Sequence, residues 1–263
     1  MRWLQLAELI FVGVGLTGLG LTIEGLRAAR EADEVFADSY TSLLPEGSLE
    51  QLEEVIGRSV KPLSRGDLEG EGALKLVELA RDKRVALLVA GDPFIATTHV
   101  ALRVEAFKRG VKTSYIPSAS IQSVIPGLTG LSSYKFGRSA TVVYPDKGLN
   151  HAAYEAVRDN QLRGLHTLLY LDLEVERSRA MTVSQALQLL LEVEEERREG
   201  VIDGEKLVVG VARACWPSCL VKALRVREAL SFNFGPPPHV LVFPGSLHFM
   251  EVEALKTLAS LEV

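Results

Sequence analysis

The chain has 263 residues, a formal net charge of −5, and 47% apolar and 24% charged residues. That length suits one large or two modest domains, each with its own core, and the balance is ordinary for a globular protein. The acidic excess argues against a general nucleic-acid binder, whose surface would be basic. Cys215 and Cys219 are the two cysteines, too few for a disulfide framework. A single C-x-x-x-C is a poor zinc pattern, so no metal site is expected. The uncharged stretch between Glu8 and Glu24 is glycine-rich and shorter than the roughly 20 residues a bilayer needs. The longer one from Thr113 to Tyr134 is interrupted by Pro117 and Pro126. No basic region followed by an apolar run opens the chain, so a cytoplasmic protein without a signal peptide or membrane span is expected.

In chain order, residues 9–14 predict a first strand, followed by the turn GVGLTGLG. Gly13, Gly15 and Gly18 satisfy G-x-G-x-x-G, and Asp38 follows Gly18 by twenty residues at the end of a second apolar run. This is the outline of a dinucleotide fingerprint, hence of a nicotinamide- or flavin-linked oxidoreductase. The fingerprint needs a helix that opens on those glycines. Gly20 and Gly25 are poor helix formers, and the best N-cap is Thr22, beyond the third glycine. A glycine loop that lets a ligand approach the backbone is the better reading.

Residues 28–38 and 48–56 fit a helix-strand-helix succession. Residues 61–68 read as a short strand and polar loop, and residues 72–81 as a helix with Leu74, Val77 and Ala80 on one stripe. The chain is organised around VALLVAGDPFIATT, residues 85–98. Its apolar run does not alternate, which suits a strand covered on both faces of a parallel sheet. Pro93 cannot donate to a ladder and biases Asp92 away from helical dihedrals, so the strand ends there. Ligands of such sheets sit beyond the carboxyl ends of the strands, which puts Asp92 at the rim of a pocket. The same turn would equally serve a carboxylate that only caps the next helix. That helix, residues 98–109, stops at Gly110, and a strand follows at 111–116. The alternation implies a mainly parallel wound sheet.

Residues 117–133 are rich in Ser, Gly and Pro, which divides the chain into expected domains at 1–117 and 118–263. The second half predicts strands at 140–144, 167–173, 206–212 and 239–243. Thr182 and Gln185 make a capping box for a helix running to about residue 199, whose charged end EVEEERRE reads as a solvated face. Three consecutive prolines after Gly235 deliver His239 stiffly to the last strand.

Several stretches together resemble the diphthine synthase family, methyltransferases of the tetrapyrrole-methylase-like group. They are FVGVGL (residues 11–16), FADSYTSLL (36–44), GDPFIATTH (91–99), PSASI (117–121), YKFGRSATVVYP (134–145), GLHTLLYLDLE (164–174) and PPHVLVFPGSLHFMEVEAL (237–255). The glycine turn and Gly-Asp-Pro mark the broad group. Tyr-Lys-Phe-Gly, Gly-Leu-His-Thr-Leu-Leu and Pro-Gly-x-Leu-His point to the narrower family. The resemblance implies two α/β domains, the second with a mixed sheet, S-adenosylmethionine held in the cleft between them, and a homodimer. It further implies repeated methylation of the amino group on the aminocarboxypropyl-modified histidine of translation elongation factor 2. Carried over by position, the cofactor contacts fall at Leu16, Asp92, Ile95, Ser120, Ile121, Leu171, Ala214 and His239. Two departures stand out: Thr17 to Gly20 replace an acidic and polar turn, and Cys215-Trp216-Pro217 follow Ala214 where a small residue is expected.

Transfer from a sulfonium is an in-line displacement, in which alignment alone can supply roughly 7–11 kcal/mol. No nucleophile-and-base triad is found, and no catalytic residue is assigned. Asp92 is expected to accept hydrogen bonds from the cofactor, because an ionised carboxylate only accepts. His239 is the best-placed base for the substrate amine, ahead of His99 and His166. A non-catalytic nucleotide-binding domain and a small-molecule tetrapyrrole methylase are the remaining readings.

Overall fold

A computed structural model describes residues 7–261; residues 1–6, part of the start read above for a leader, and 262–263 lie outside the described residues. The chain forms two compact units, one of Met1–Ile121 with Glu174–Arg177, the other of Gln122–Leu173 with Ser178–Val263. The division thus falls four residues after the sequence boundary. Glu174–Arg177 groups with the first unit, where Glu176 accepts the backbone N–H of Arg65 at 3.1 Å.

The first unit contains, in order, β1 (Glu8–Gly13), α1 (Ile23–Glu31), β2 (Glu34–Asp38), α2 (Ser48–Ile56), β3 (Lys61–Leu63), α3 (Arg65–Leu68), α4 (Gly70–Leu79), β4 (Arg84–Val89), α5 (His99–Lys108) and β5 (Thr113–Ile116). Its sheet has the order β3-β2-β4-β1-β5 with every pair parallel. Neighbouring residues of one strand enter different cores. Leu9, Phe11, Val85 and Leu87 pack with Leu76, Val77, Leu102 and Ala106, from α4 and α5. Ile10, Val12, Ala86 and Leu88 pack with Ala28, Ala29, Leu52 and Ile56, from α1 and α2. Both faces are dry, which is why the strand runs carry no alternation. The loop expected at 61–68 is partly the short helix α3, opened by a capping box of Ser64 and Asp67.

The second unit adds α6 (Ile121–Thr129), which straddles the division, then β6 (Ala140–Val142), α7 (His151–Gln161), β7 (Thr167–Leu171), β8 (Leu173–Glu174), β9 (Arg179–Ala180), α8 (Val183–Arg197), β10 (Leu207–Ala212), β11 (Leu220–Arg225), α9 (Val226–Ala229), β12 (His239–Phe243) and α10 (Phe249–Leu258). The sheet runs β11-β10-β12-β7-β6 and is mixed, only β6 and β7 being parallel. Leu169, Val208, Leu241 and Phe243 pack against Tyr154, Val157, Leu187 and Leu190 from α7 and α8. The Thr182–Gln185 capping box is present. The charged end of α8 is not simply solvated: Glu194 accepts the N–H groups of Gly200, Val201 and Ile202 and the Tyr154 hydroxyl, closing the following turn. The Ser- and Pro-rich stretch after residue 117 contains α6, with Pro126 inside it. Among the described residues no helix is long and apolar enough to cross a membrane.

Candidate functional site

In the first unit, β1 leads to α1 on one face of the sheet, while its neighbour β4 leads to α5 on the other. Adjacent strands whose connections diverge make the crevice where open α/β sheets bind ligands. Here the two outgoing loops join: Gly91 N–H donates to the Gly15 carbonyl at 2.8 Å and Gly15 N–H to the Gly91 carbonyl at 3.3 Å. Both glycines have positive φ, +68° and +70°. A side chain on Gly13 would place its Cβ 2.7 Å from the Gly91 carbonyl and 2.7 Å from Ser118 Cβ. The glycines are therefore consumed in packing the loops after β1, β4 and β5 against one another. The dinucleotide alternative fails on the same geometry. Helix α1 opens at Thr22, whose hydroxyl accepts Gly25 N–H at 3.0 Å, well past the glycine turn. Asp38, the would-be ribose ligand, is 8% exposed and is occupied by the N–H groups of Tyr40 and Thr41.

The loops bring Leu16, Gly91 and Ser120 together. A Cβ on Gly91 would lie 3.7 Å from both Leu16 Cδ2 and Ser120 Cα. Asp92 follows Gly91 and is 5% exposed. Its Oδ1 accepts Phe94 N–H at 3.0 Å and its Oδ2 accepts the Tyr115 hydroxyl at 2.5 Å. Burial, and then the Asp92 carboxylate, push that hydroxyl up to about 12, so it stays a donor. Asp92 does not cap α5, whose N-cap is Thr98. It shapes the turn carrying half-buried Ile95, and each of its oxygens keeps a lone pair for a ligand. Ile121, at the start of α6, is half-buried. A separate cavity of about 260 Å³ in this unit is lined by Val14, Ala37, Leu43, Leu44, Ser48 and Leu88 among others, and by none of the expected contacts.

In the second unit, strand register places two of the other three expected contacts opposite each other, and the third follows in the next loop. His239 pairs with Ala212, and because Val240 pairs with Tyr170, His239 stands opposite Leu171. Ala214, 7% exposed, lies two residues past Ala212. The loop that holds it bends through positive φ at Arg213 (+50°) and Cys215 (+66°). Buried Arg213 secures it, its guanidinium donating to the carbonyls of Ser218, Phe234 and Pro236. The bulky Cys215-Trp216-Pro217 stretch is thus accommodated outside the strand, where Trp216 N–H closes a turn onto the Arg213 carbonyl at 2.9 Å. Both cysteines are free thiols, and burial pushes that of Cys215 up.

His239 is 8% exposed, and its Nδ1 accepts the backbone N–H of Val183 at 3.3 Å. Burial holds its pKa below the ordinary imidazole range, against the pull of the Pro236 and Gly235 carbonyls, and with Nδ1 accepting from Val183 the neutral ring carries its proton on Nε2. That Nε2 is buried and has no hydrogen-bond partner of normal geometry among the described residues. A neutral ring with its one lone pair engaged has nowhere to accept a proton, which removes His239 as the amine's base. His166 fails likewise: Gly245 N–H occupies Nδ1 and Nε2 faces Glu251, both at 2.9 Å.

The family described as Tetrapyrrole (Corrin/Porphyrin) Methylases matches residues 8–229. Diphthine synthase of Methanocella arvoryzae is 46% identical over 257 residues, covering 97% of this chain and 99% of the relative. The chain belongs to the diphthine synthase family. Diphthine synthase of Methanocaldococcus jannaschii is 39% identical over 254 residues, with 95% and 98% of the two chains covered. A crystal structure of diphthine synthase superposes with a TM-score of 0.85 at 40% identity, covering 96% of each chain. As a member of this family the chain is an S-adenosylmethionine-dependent methyltransferase.

The segments that mark the diphthine synthase family meet at the end of the second sheet remote from His239. Lys135 and His166 both reach Glu251, which also accepts the N–H groups of Ser132 and His248. Burial alone would raise Glu251, but these donors hold it at about 2. The donor set elsewhere fits the cofactor of a methylase. Buried His239 Nε2 makes no hydrogen bond of normal geometry, although the carbonyls of Pro236 and Gly235 pull on the ring, and ribose and adenine carry acceptors it could meet. In the first unit, the Asp92 carboxylate retains lone pairs that donors of such a cofactor could use.

Proposed function

We propose that this protein repeatedly methylates the amino group of the aminocarboxypropyl arm on the modified histidine of translation elongation factor 2, forming diphthine. The observation that carries this reading is the near end-to-end likeness to diphthine synthases, with the family-marking segments built into one buried network. S-adenosylmethionine, when bound, supplies an activated methyl group. The bond from that carbon to sulfur breaks as the bond to the amine nitrogen forms. Leu16, Asp92, Ile95, Ser120 and Ile121 of the first unit, and Leu171, Ala214 and His239 of the second, are the contacts proposed to hold it. An α-amino group of pKa about 7.7–8.0 is mostly protonated at pH 7, and its proton must leave before attack. With His239 and His166 both engaged, that proton passes to water. The enzyme acts by orientation, as a pre-activated methyl group permits. A homodimer and a cytoplasmic location belong to the same reading.

Intact-mass analysis tests it. Elongation factor bearing the aminocarboxypropyl histidine, incubated with this protein and S-adenosylmethionine, should gain successive methylene masses. A substrate of unchanged mass, with cofactor binding retained, would favour a non-catalytic nucleotide-binding domain instead.

A further inference from the structure

The Gly-Asp-Pro turn bears Ala96 at φ +57°, a left-handed conformation that costs a non-glycine residue roughly 1–2 kcal/mol and persists only where neighbours hold it. Tyr115 grips one side of the turn through Asp92. The other side rests on His99, the first residue of α5, which is 1% exposed. Its Nδ1 lies 3.1 Å from the Pro93 carbonyl. That oxygen can only accept, so Nδ1 carries the proton. Nε2 stands 3.4 Å from Asp38 Oδ2 without a hydrogen bond. Burial holds the ring below the ordinary imidazole range, against the pull of Asp38, the Pro93 carbonyl and Glu69. In its neutral form the ring therefore makes one hydrogen bond, to the turn. The hydroxyl of Thr97 also reaches the Pro93 carbonyl, but Thr97 belongs to the turn itself and cannot anchor it. His99 can, because its helix is sunk into the core through Leu102 and Ala106.

We propose that His99 is a positioning residue for the methyl donor: its Nδ1–H to the Pro93 carbonyl sets the turn from which Asp92 and Ile95 meet the cofactor. This rests on the reading that those two residues contact the cofactor. No role in proton transfer follows, since the ring is sealed from the reacting amine.

The test is calorimetric titration of S-adenosylmethionine into the wild-type protein and into Asp92→Ala, His99→Asn, His99→Gln and His99→Leu, with a thermal melt of each. Asparagine can place an amide N–H where Nδ1 stands, whereas glutamine extends its amide toward Asp38. Loss of one such bond is worth up to about tenfold in affinity. His99→Gln and His99→Leu should lose roughly that factor, and His99→Asn should stay within about threefold of wild type, although all three lose the ring's packing and melt lower. Equal affinities for His99→Asn and His99→Gln overturn the proposal, whether both are weak or both are strong, and so does wild-type affinity in His99→Leu. If Asp92→Ala also binds as wild type, the underlying assignment of the site falls with it. If Asp92→Ala is weak while the His99 variants bind normally, only the role of His99 falls.

Discussion

His166 and His239 are both buried histidines at strand ends in the second sheet, and burial lowers the pKa of each. They stand at opposite ends of adjacent strands and are treated oppositely. His166 has both nitrogens engaged, by Gly245 N–H and by Glu251. His239 has Nδ1 engaged, while Nε2 makes no hydrogen bond of normal geometry and feels only the nearby Pro236 and Gly235 carbonyls. Leaving a buried donor without a well-formed bond costs about 1–3 kcal/mol, so the saturated end reads as architecture and the under-satisfied end is where a proposed cofactor contact falls. The most family-specific stretches of the chain thus build a scaffold, while the proposed cofactor contacts sit among less distinctive residues.

The largest expected effect breaks the saturated end. Glu251→Ala leaves Lys135, His166 and two backbone N–H groups without their acceptor. Losing one partner of a buried ion pair costs about 3–5 kcal/mol, read from urea denaturation. Affinity for S-adenosylmethionine in the folded fraction should be unchanged; a parallel loss of binding would erase the contrast between the two ends. Acid provides a second handle on the same group. Folding depresses the Glu251 pKa from 4.5 to about 2, so its contribution to stability is complete above pH 4.5 and disappears as pH falls toward 2. Glu251→Gln should flatten that part of the stability profile.

Much of the framework was legible in sequence because its signals are local. The non-alternating run before Gly91 announced a strand covered on both faces, the last strand was read as residues 239–243, and the Thr182–Gln185 capping box formed as expected. Helix α6 was hidden by its Ser, Gly and Pro content. Strand β11 was missed because, as an edge strand with Lys222 and Arg225, it lacks a strong apolar signature. The long-range supports around the expected contacts were not legible. Tyr115 holds Asp92 across 23 positions of chain, and Lys135 meets Glu251 across 116. Nothing in the spacing of either pair marks it, because only the folded sheets bring the partners together.

A smaller effect sharpens the contrast from the first unit. Tyr115→Phe removes the hydroxyl from Asp92 Oδ2 while keeping the ring against Phe94, 4.9 Å away between centroids. The expected loss is about 1–2 kcal/mol of stability by urea denaturation, the cost of an unmet hydrogen bond to a charged group. A neutral result would mean that water replaces the hydroxyl freely and that the Asp92 turn is held by other contacts.

The smallest stability effect belongs to the under-satisfied end itself. In His239→Asn the amide oxygen can still accept Val183 N–H, while the Nε2 donor is deleted. Because that donor makes no hydrogen bond of normal geometry within the protein, only a loose pull from the Pro236 and Gly235 carbonyls, removing it should change stability by less than about 1 kcal/mol. Cofactor affinity should fall by up to about tenfold, since under the proposed function the bond lost is one made to the cofactor. The shape of the pH–rate profile should not change. With its one lone pair on Val183, the ring has no place for a substrate proton, so its removal deletes no titration from the rate. Disappearance of a limb from the profile would show that His239 releases Val183 during turnover and serves as a base after all.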